Sequence, residues 1–262
     1  MKVYVQAKRG EHARPFSINA YQCMEGFVRM GCDTVFFYTR NMEEMSFSKA
    51  TPVIGSVTTY AHVFTALNVD WERPSYSENL LAWLGRDIGR ITLAELPALL
   101  KMRNVFIKPA VDDKAFTGFV CTQEEDRWRP ELATLPPETE LIWADPVNFQ
   151  AEYRVYVLNG LIQNVARYRG LVDVQPNMRV VRDMMAAFTD APIAYAMDVG
   201  ILPNGSTTLV EVNEPFAMTN YGLPAELHAR MLASRWFQMM GNDAAMAKYA
   251  ETRDSPPCTQ TR

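Results

Sequence analysis

The stretch YAMDVGILPNGSTTLVEVNEPF, residues 195–216, consists of two apolar runs on either side of a Pro-Asn-Gly sequence. An Asn-Gly pair between two β-rich runs is the strongest short-range signal for a β-hairpin, because both central residues of the favoured turn need positive φ angles. A two-residue turn at this pair places Asp198 directly opposite Glu211, with Asn213 on the same face. The stretch therefore predicts a hairpin that presents two carboxylates and an amide from one face.

Two like charges directly opposite each other destabilise a strand pair, so this hairpin needs a counter-charge. A hard divalent cation takes oxygen ligands, and Mg²⁺ typically binds one or two carboxylates together with substrate phosphates. Asp198, Glu211 and Asn213 are therefore candidate metal ligands, and Gly200 on the same face indicates room for a ligand. If the carboxylates only repel each other, removing either one leaves the metal-free protein as stable or more stable. The alternative is a solvated polar face on an edge hairpin.

A second hairpin is predicted for EYRVYVLNGLIQNVARYRG, residues 152–170, again from an Asn-Gly pair. A two-residue turn there places Glu152 opposite Arg167, with Arg154 on the same face. Guanidinium groups bind phosphates with bidentate geometry, so these arginines are candidates for phosphate binding. The alternative is a lattice of surface salt bridges, which contributes little to stability. The hairpin by itself does not decide between the two.

A lysine interrupts an otherwise apolar strand in NVFIKPA, residues 104–110. Contact of an ammonium group with a phosphate is a good reason for Lys108 to be there, and the alternative is a lysine at a strand end whose side chain reaches water. Lys114 follows in the next loop and is a weaker candidate for covering phosphates. The sequence contains neither a Walker nor a Rossmann glycine fingerprint, and no Ser-His-Asp ordering is recognisable.

The order of the predicted elements indicates two kinds of sheet. In the first part of the chain the strands KVYVQA, TVFFY and TPVIGS alternate with the helices SINAYQCMEGFVRMG and VTTYAHVFTALN, which predicts a small parallel sheet. After residue 104, short strands separated by turns predict a mainly antiparallel sheet. The predicted fold class is therefore α/β, in the wider sense of α+β, with a small N-terminal α/β domain followed by antiparallel sheets.

The composition argues against several classes of function. A chain of 262 residues with a net charge of −4 shows no basic footprint for nucleic acid, and no apolar run approaches the length of a membrane span. The first residues lack a signal-peptide layout, so a cytoplasmic location is expected. The four cysteines show no metal-ligand spacing and the three histidines lie far apart in the sequence, so a histidine-based metal site is not expected.

Taken in order, these motifs resemble the ATP-grasp superfamily. They are the strand lysine in FIKPA, the apolar strand ELIWADP, the strand EYRVYV, and MDVG followed by LVEVNEPF. The last pair is similar to the metal hairpin of D-alanine–D-alanine ligase and its relatives, in which an Asp, a Glu and an Asn hold Mg²⁺ against ATP. The resemblance covers residues 104–222 and is nearest to a compact, ligase-like clade of that superfamily.

The resemblance implies a role for each matching residue. Asp198, Glu211 and Asn213 would bind the metal, with two Mg²⁺ ions expected. The catalytic cation that reaches the γ-phosphate or an acyl-phosphate would be Arg154 or Arg167. The implied ATP contacts are Lys108 and Lys114 at the phosphates, the hinge Ile142, Trp143, Ala144 and Asp145 at the adenine, and Glu152 at the ribose.

The activity that the resemblance implies is that of a carboxylate–amine or peptide ligase, in which ATP phosphorylates a carboxylate and an amine attacks the acyl-phosphate. The partners would be small-molecule or peptide carboxylates and amines, and the acceptor would bind between the N-terminal domain and the antiparallel sheets. The implied domains are a pre-ATP-grasp α/β domain (1–100), an ATP-grasp domain (101–250) and a flexible tail (251–262). A small-molecule kinase on the same fold and a non-catalytic nucleotide-binding protein remain alternatives. The sequence does not indicate an oligomeric state.

The sequence departs from the family pattern at two places. VDDKAF stands where the family has a glycine- and serine-rich lid after the strand lysine, and Ala196 stands where some ligases have an arginine two residues before the metal-binding Asp. The first departure concerns the chemistry of the lid, and the second concerns how the acceptor carboxylate is bound.

Overall fold

A computed structural model of the chain describes residues 1–8, 12–71, 76–110, 115–122 and 130–251. Lys114 and nearly all of the predicted tail lie outside these residues. None of the helices in the described part is long and apolar enough to cross a membrane. The described strands form three sheets of four strands each, and the expected combination of a parallel N-terminal sheet with antiparallel sheets is confirmed.

The N-terminal sheet is mainly parallel and is covered by helices. Its elements are β1 (Lys2–Lys8), β2 (Arg14–Pro15), α1 (Ile18–Arg29), β3 (Asp33–Phe37), β4 (Val53–Ile54) and α2 (Val57–Ala66). β3 and β4 pair in parallel with β1, whereas the short β2 pairs antiparallel with it. Both helices begin after a serine, Ser17 or Ser56, whose hydroxyl accepts a hydrogen bond from a backbone N–H of the first turn. The predicted alternation of strands and helices is therefore present.

A second sheet, called here the lysine sheet because it carries Lys108, is antiparallel. Its strands are β5 (Ile88–Thr92), β6 (Val105–Pro109), β7 (Phe119–Cys121) and β8 (Glu140–Ala144), in the order β5-β8-β6-β7. The short helices α3 (Leu96–Leu100) and α4 (Pro130–Ala133) lie between these strands in the sequence. Because side chains alternate along a strand, Ile107 and Leu141 enter a core while Lys108 and its cross-strand neighbour Ile142 share the other face.

The third sheet, called here the carboxylate sheet, is also antiparallel. Its strands are β9 (Ala151–Leu158), β10 (Leu161–Gly170), β11 (Ala194–Ile201) and β12 (Thr207–Asn213), in the order β10-β9-β11-β12. One face packs on helix α5 (Met178–Ala187) through a core that includes Val155 and Met197, and the other face carries Asp198. The chain continues with α6 (Ala225–Met239), which packs on the N-terminal sheet, and with α7 (Asp243–Ala250).

Three short 3₁₀ helices complete the described elements. They are Thr39–Glu44, Glu78–Trp83 and Leu93–Glu95. The second of them lies between α2 and β5 in the sequence. This 3₁₀ helix leads into residues 84–87, which are called here the linker before β5.

The turn between β9 and β10 is the predicted two-residue turn at residues 159–160, and both residues have positive φ angles, 52° and 71°. The register then shifts twice along β10. As a result Arg167 pairs with Tyr153, and Glu152 pairs with Arg169. The prediction that Glu152 lies opposite Arg167 is wrong, because the two β-bulges together displace the pairing at Glu152 by two residues and leave no sign in the turn sequence.

The turn between β11 and β12 is not the predicted two-residue turn. The N–H of Leu202 donates to the carbonyl of Ser206 at 2.9 Å, and in the Asn-Gly pair only Gly205 has a positive φ, 84°. The loop is therefore three residues long, which displaces the pairing by one residue near the turn. A bulge in β12 displaces it back, so that Asp198 pairs with Glu211. That pairing is confirmed, although the turn from which it was predicted is wrong.

The bulge also changes what surrounds the carboxylates. Leu209, which a two-residue turn would place on the polar face, belongs to the core on the other side of the sheet. Gly200 keeps its place on the polar face, but the ring of Phe149 occupies the space where a Cβ atom would lie. The room for a ligand that was expected beside Gly200 is therefore filled by a phenyl ring.

Candidate active site

Asp198 forms a buried, bidentate ion pair with Arg154. Nε and Nη2 of Arg154 donate to the two carboxylate oxygens at 2.7 and 2.6 Å, and the Arg154 and Asp198 side chains are 6% and 3% exposed. The pair forms because the two residues are cross-strand partners in β9 and β11. Nη1 of Arg154 donates to the carbonyl oxygen of Thr219 at 2.9 Å, which ties the loop after β12 to the ion pair.

Glu211 contacts Lys108, although the two residues are 103 positions apart and belong to different sheets. Nζ of Lys108 donates to Oε2 of Glu211 at 3.1 Å, and the lysine side chain is 18% exposed. The same ammonium group lies 4.5 Å from the ring centroid of Tyr76. Lys108 is therefore not a strand-end lysine that reaches into water. It stands where the lysine sheet meets the carboxylate sheet.

Asn213 bridges the two carboxylates. Its Nδ2 atom donates to Oε1 of Glu211 at 3.1 Å and lies 3.4 Å from Oδ2 of Asp198. The three side chains converge on one point, and rotating the amide by half a turn would present its oxygen there. Among the described residues, no group of three or more His, Cys, Asp or Glu side chains could hold a metal ion. Two carboxylates and one amide nevertheless form a set of oxygen donors of the kind that Mg²⁺ takes together with substrate phosphates.

The hairpin sequence alone predicts that the two opposed carboxylates repel each other. In the structure each carboxylate has its own cation, Arg154 for Asp198 and Lys108 for Glu211. Burial raises the pKa of Asp198 to about 6, against the opposing effect of Arg154. Although burial acts to lower the pKa of Arg154, its hydrogen bonds to Asp198 raise it. Burial acts to raise the pKa of Glu211, but Lys108 and Asn213 outweigh it and lower that pKa. At pH 7 both carboxylates are predominantly ionised, which is the form that binds metal.

Glu152 extends the polar face of the carboxylate sheet. Its carboxylate accepts hydrogen bonds from the Tyr168 hydroxyl at 2.8 Å and from Nη1 of Arg169 at 3.0 Å. Burial, together with the charges of Asp198 and Glu152, raises the pKa of Tyr168, so its hydroxyl remains a donor. The Arg169 side chain is 74% exposed, whereas that of Glu152 is 8% exposed. The arginine is therefore the partner that a ligand hydroxyl could displace.

Three residues near the site are not among the sequence candidates, namely Tyr168, Arg169 and Tyr221. The two tyrosine rings stack with their centroids 4.9 Å apart, and the guanidinium carbon of Arg154 lies 5.0 Å from the ring centroid of Tyr221. Such a cation–π contact helps to keep the arginine in place. No local pattern indicates these residues. A bulge turns Tyr168 and Arg169 towards Glu152, and Tyr221 lies in a loop.

The residues predicted to form the adenine hinge divide between the two faces of β8. Ile142 and Ala144 are buried, and their strand positions place them on the face of Lys108. The Trp143 ring packs on the opposite, core side, where a Cβ atom at Gly89 would lie 2.6 Å from its Nε1. Of the hinge side chains within the strand, only Ile142 and Ala144 therefore share a face with Lys108.

Asp145, the last predicted hinge residue, belongs to an ion-pair network at the end of β8. Its Oδ1 atom accepts a hydrogen bond from Nη1 of Arg103 at 3.0 Å, and its Oδ2 atom accepts one from the backbone N–H of Asp87 at 3.2 Å. The guanidinium of Arg103 also lies 5.6 Å from the ring centroid of Trp143. The side chain of Asp145 thus holds the hinge against the linker before β5.

A cavity of about 260 Å³ lies between the helices of the N-terminal sheet and the loop after β12. Its wall includes Ser17 and Ser56 at the starts of α1 and α2, Thr219 in the loop, and His228 in α6. The carbonyl of Thr219 accepts the hydrogen bond from Arg154. The cavity is therefore next to the Asp198–Arg154 pair. It lies between the N-terminal domain and the carboxylate sheet, where the acceptor substrate is expected to bind.

His228 in this wall is expected to make the fold sensitive to acid. Burial lowers its pKa to about 4, although a hydrogen bond with the backbone of Pro215 acts in the opposite direction. The unfolded chain takes up the proton near pH 6.5, at about the ordinary pKa of histidine. Stability is therefore unaffected by this group above pH 6.5 and falls as the pH drops from 6.5 to 4. The expected loss in free energy of unfolding is on the order of 3 kcal/mol by pH 4.

Urea unfolding of the wild type and of His228→Gln across this pH range measures the effect. Glutamine cannot be protonated, so the stability difference between the two proteins should narrow as the pH falls. If both proteins lose stability in parallel between pH 6.5 and 5, another group is responsible.

Comparisons with known proteins identify the domain type to which more than half of the chain belongs. The family model described as an ATP-grasp domain, R2K clade family 2, matches residues 83–231. This is more than half of the chain and includes all the candidate site residues. A search of the curated proteins found no match.

Solved structures share the fold at low sequence identity. The D-cycloserine synthetase DcsG is 10% identical, with a TM-score of 0.56 over 96% of this chain and 100% of that chain. D-alanine–D-alanine ligase from Bacillus anthracis, complexed with ATP, is 11% identical, with a TM-score of 0.53 over 95% and 97% of the two chains. The ATP-grasp ligase PsnB, complexed with its minimal precursor, Mg and ADP, is 13% identical, with a TM-score of 0.50 over 95% and 97%. At these identities the similarity establishes the fold.

Proposed function

The chain belongs to the ATP-grasp domain family of the R2K clade, family 2, and on this premise we propose that it is an ATP- and Mg²⁺-dependent ligase that joins a carboxylate to an amine. The observation that carries the proposal is the contact between Lys108 and Glu211 beside Asp198 and Asn213. One part of this group offers a cation to phosphate oxygens and the other offers oxygen ligands to a metal ion. Both parts can therefore act on the same nucleotide.

The proposed site supports phosphoryl transfer by positioning and charge neutralisation, which matter more in this chemistry than a protein nucleophile. Asp198, Glu211 and Asn213 would hold Mg²⁺, which neutralises charge on the phosphate oxygens. A carboxylate has about four acceptor positions, so Asp198 keeps free lone pairs while Arg154 binds it. The ammonium of Lys108 has about three donors, so it can reach a phosphate oxygen without leaving Glu211.

We assign Arg154 to the transferring phosphoryl group. Its guanidinium is held by Asp198, by the carbonyl of Thr219 and by the ring of Tyr221, and it remains charged at every relevant pH. Arg167 was the other candidate, but its pairing with Tyr153 places it on the opposite face of the sheet. The geometry therefore favours Arg154.

The nucleotide base and sugar are assigned to groups on both sheets. The buried Ile142 and Ala144 share a face with Lys108 and fit an adenine there. Glu152, with its solvent-exposed partner Arg169, fits the ribose hydroxyls. Lys114 stays a prediction for the phosphates, since the structure does not describe it.

In the proposed reaction a carboxylate oxygen attacks the γ-phosphorus of ATP, and ADP leaves. The amine nitrogen then attacks the carbonyl carbon of the acyl-phosphate, phosphate leaves, and the nitrogen loses a proton as the amide forms. The cavity beside Thr219 would hold the acceptor, because Arg154 connects its wall to the metal ligands.

The test incubates the protein with ATP, Mg²⁺ and pools of amino acids and dipeptides whose carboxylates carry ¹⁸O, and follows products by mass spectrometry. A ligase gives ADP, a product lighter than its two substrates by one water, and phosphate that contains one ¹⁸O atom. Glu211→Gln, which loses a proposed metal ligand, is the control and should give none of these. A phosphorylated product without condensation would identify a kinase, and nucleotide binding without any product would rule out both enzymes.

Glu152→Gln is expected to raise the KM for ATP about tenfold while kcat stays unchanged, because a charged hydrogen bond to the ribose is lost equally in ground and transition states. Glutamine keeps the shape of the side chain and can still accept from Tyr168. Steady-state kinetics at saturating acceptor measures both parameters. The matched control is Arg167→Lys, for which wild-type kinetics are expected from its place on the other face. An unchanged KM for Glu152→Gln would remove this residue from the nucleotide site.

A further inference from the structure

The bulge that determines the position of Glu211 is held from outside the hairpin. Arg86, in the linker before β5, donates from Nη1 to the carbonyl oxygen of Leu209 at 2.7 Å and from Nη2 to that of Val210 at 2.9 Å. Nη1 also donates to the carbonyl of Leu84 in its own segment at 3.0 Å. One half-buried guanidinium therefore spans both backbone carbonyls of the bulge.

This contact matters because the bulge decides which way Glu211 faces. At a bulge the extra residue leaves the ladder, and its backbone groups need other partners. Among the strands that the structure describes, β12 lies at the edge of the carboxylate sheet, and none of them pairs with its outer side to supply these partners. A slip of one residue would turn Glu211 from Lys108 towards the core, since side chains alternate along a strand. The planar fork of Arg86 favours the register that is observed.

The linker lies directly against β12. Gly85 has a φ angle of 61°, and a Cβ atom at this position would be 2.7 Å from Cγ2 of Thr208. A glycine is therefore suited to this position by its backbone conformation and by the close approach of the strand. The approach brings the guanidinium of the next residue, Arg86, to the bulge.

The residue after Arg86 binds the predicted adenine hinge. The N–H of Asp145 donates to the carbonyl of Asp87 at 3.0 Å, and the N–H of Asp87 donates to Oδ2 of Asp145 at 3.2 Å. Two consecutive linker residues thus hold the strand of Glu211 and the end of β8. The linker therefore contacts the carboxylate sheet through Arg86 and the end of β8 in the lysine sheet through Asp87.

We infer that Arg86 is a positioning residue of the metal site. It holds the bulge in the register that directs Glu211 to Lys108 and Asn213, and with Asp87 it fixes the metal-binding strand relative to the hinge. The inference rests on the proposed function, because it assigns Arg86 a task towards the proposed metal ligands. Arg86 does this through backbone carbonyls, without touching the nucleotide.

The test compares Arg86→Lys with Arg230→Lys. Lysine keeps the charge at position 86 but replaces the planar fork with a single ammonium group. Arg230 is a matched control, because its Nε atom also donates to a backbone carbonyl, that of Tyr249 at 3.1 Å, in the contact between α6 and α7. Hydrogen exchange on the metal-free proteins should show the amides of residues 209–213 exchanging at least about tenfold faster in Arg86→Lys only.

The second readout is Mn²⁺ binding in the presence of a non-hydrolysable ATP analogue, followed by electron paramagnetic resonance. The dissociation constant of Mn²⁺ should rise about 10- to 100-fold in Arg86→Lys, as for other residues that orient metal ligands, and stay unchanged in Arg230→Lys. In Arg86→Ala, added guanidinium ion should restore part of the affinity, which it would not do for a variant that has merely lost its fold.

The outcomes separate this inference from the proposed function. Wild-type Mn²⁺ affinity in Arg86→Lys, or equal losses in both lysine variants, would overturn the role of Arg86 alone. A wild-type protein that binds neither the nucleotide analogue nor Mn²⁺ would overturn the proposed function and this inference with it.

Discussion

Asp198→Asn is expected to lower the free energy of unfolding of the metal-free protein by about 3–5 kcal/mol, because it leaves the guanidinium of Arg154 buried without its counter-charge. Glu211→Gln is expected to cost less than about 1 kcal/mol, since the Glu211 side chain is 32% exposed and water can replace its contact with Lys108. Both variants should lower ATP turnover at least about 10²-fold, because each removes a proposed metal ligand.

Urea unfolding in the presence of a chelator, together with ATP turnover in Mg²⁺, measures both effects. The sequence alone predicts no loss of stability for either variant, since it shows only two opposed carboxylates. The structure changes that expectation for Asp198, because its partner is an arginine whose side chain is 6% exposed. Equal stability of the two variants would mean that the Arg154–Asp198 pair does not hold this part of the fold.

The double variant Arg154→Met with Asp198→Leu separates stability from activity. Replacing both members of a buried ion pair with apolar groups is often neutral or stabilising, so most of the lost stability should return. Activity should stay absent, because a proposed metal ligand and the proposed phosphoryl-binding cation are both gone. A double variant as unstable as Asp198→Asn would contradict the assignment of the loss to an unpaired charge.

Lys108→Met is expected to lower ATP turnover by about 10²–10³-fold, as removal of a single charged donor from a reacting group does. Methionine fills a similar volume, and the partly exposed Glu211 can be solvated, so the fold should persist. Binding of an ATP analogue, measured by calorimetry, should weaken in parallel, because the ammonium of Lys108 extends from the lysine sheet to Glu211, one of the proposed metal ligands.

Lys101→Met is the control for this variant, because Lys101 is exposed at the end of α3 and has the same chemistry. It should bind the analogue and turn over ATP like the wild type. Analogue affinities that agree between Lys108→Met and Lys101→Met would remove Lys108 from the phosphate site.

The general fold was predictable because its signals are local. The alternation of strands and helices in the N-terminal sheet, the serine caps of α1 and α2, and the turn at residues 159–160 all follow from short stretches of sequence. The ordered set of motifs also indicated the ATP-grasp superfamily, which the family match over residues 83–231 confirms. Each of these signals survives small errors in the position of an element.

The site was predictable only in part, because register is less local than secondary structure. The pairing of Asp198 with Glu211 is confirmed, but the three-residue loop and the bulge each displace the pairing by one residue in opposite directions. In β10 the bulges do not cancel, so Arg169 takes the place predicted for Arg167. The roles of all these residues in binding ATP and metal remain predictions for the experiments above.

The sequence by itself determined which side chains could form a site, namely two carboxylates and an amide on one hairpin, a glutamate and arginines on a second, and a lysine in an apolar strand. Only the tertiary structure decided their partners. It paired Arg154 with Asp198 across two strands, brought Lys108 to Glu211 from 103 positions away, and placed Arg86 on the bulge of β12. Turn chemistry and side-chain alternation act over a few residues and can be read from the sequence. The register beyond a bulge and the contacts between sheets depend on how whole layers pack, and a displacement of one residue there turns every side chain to the opposite face.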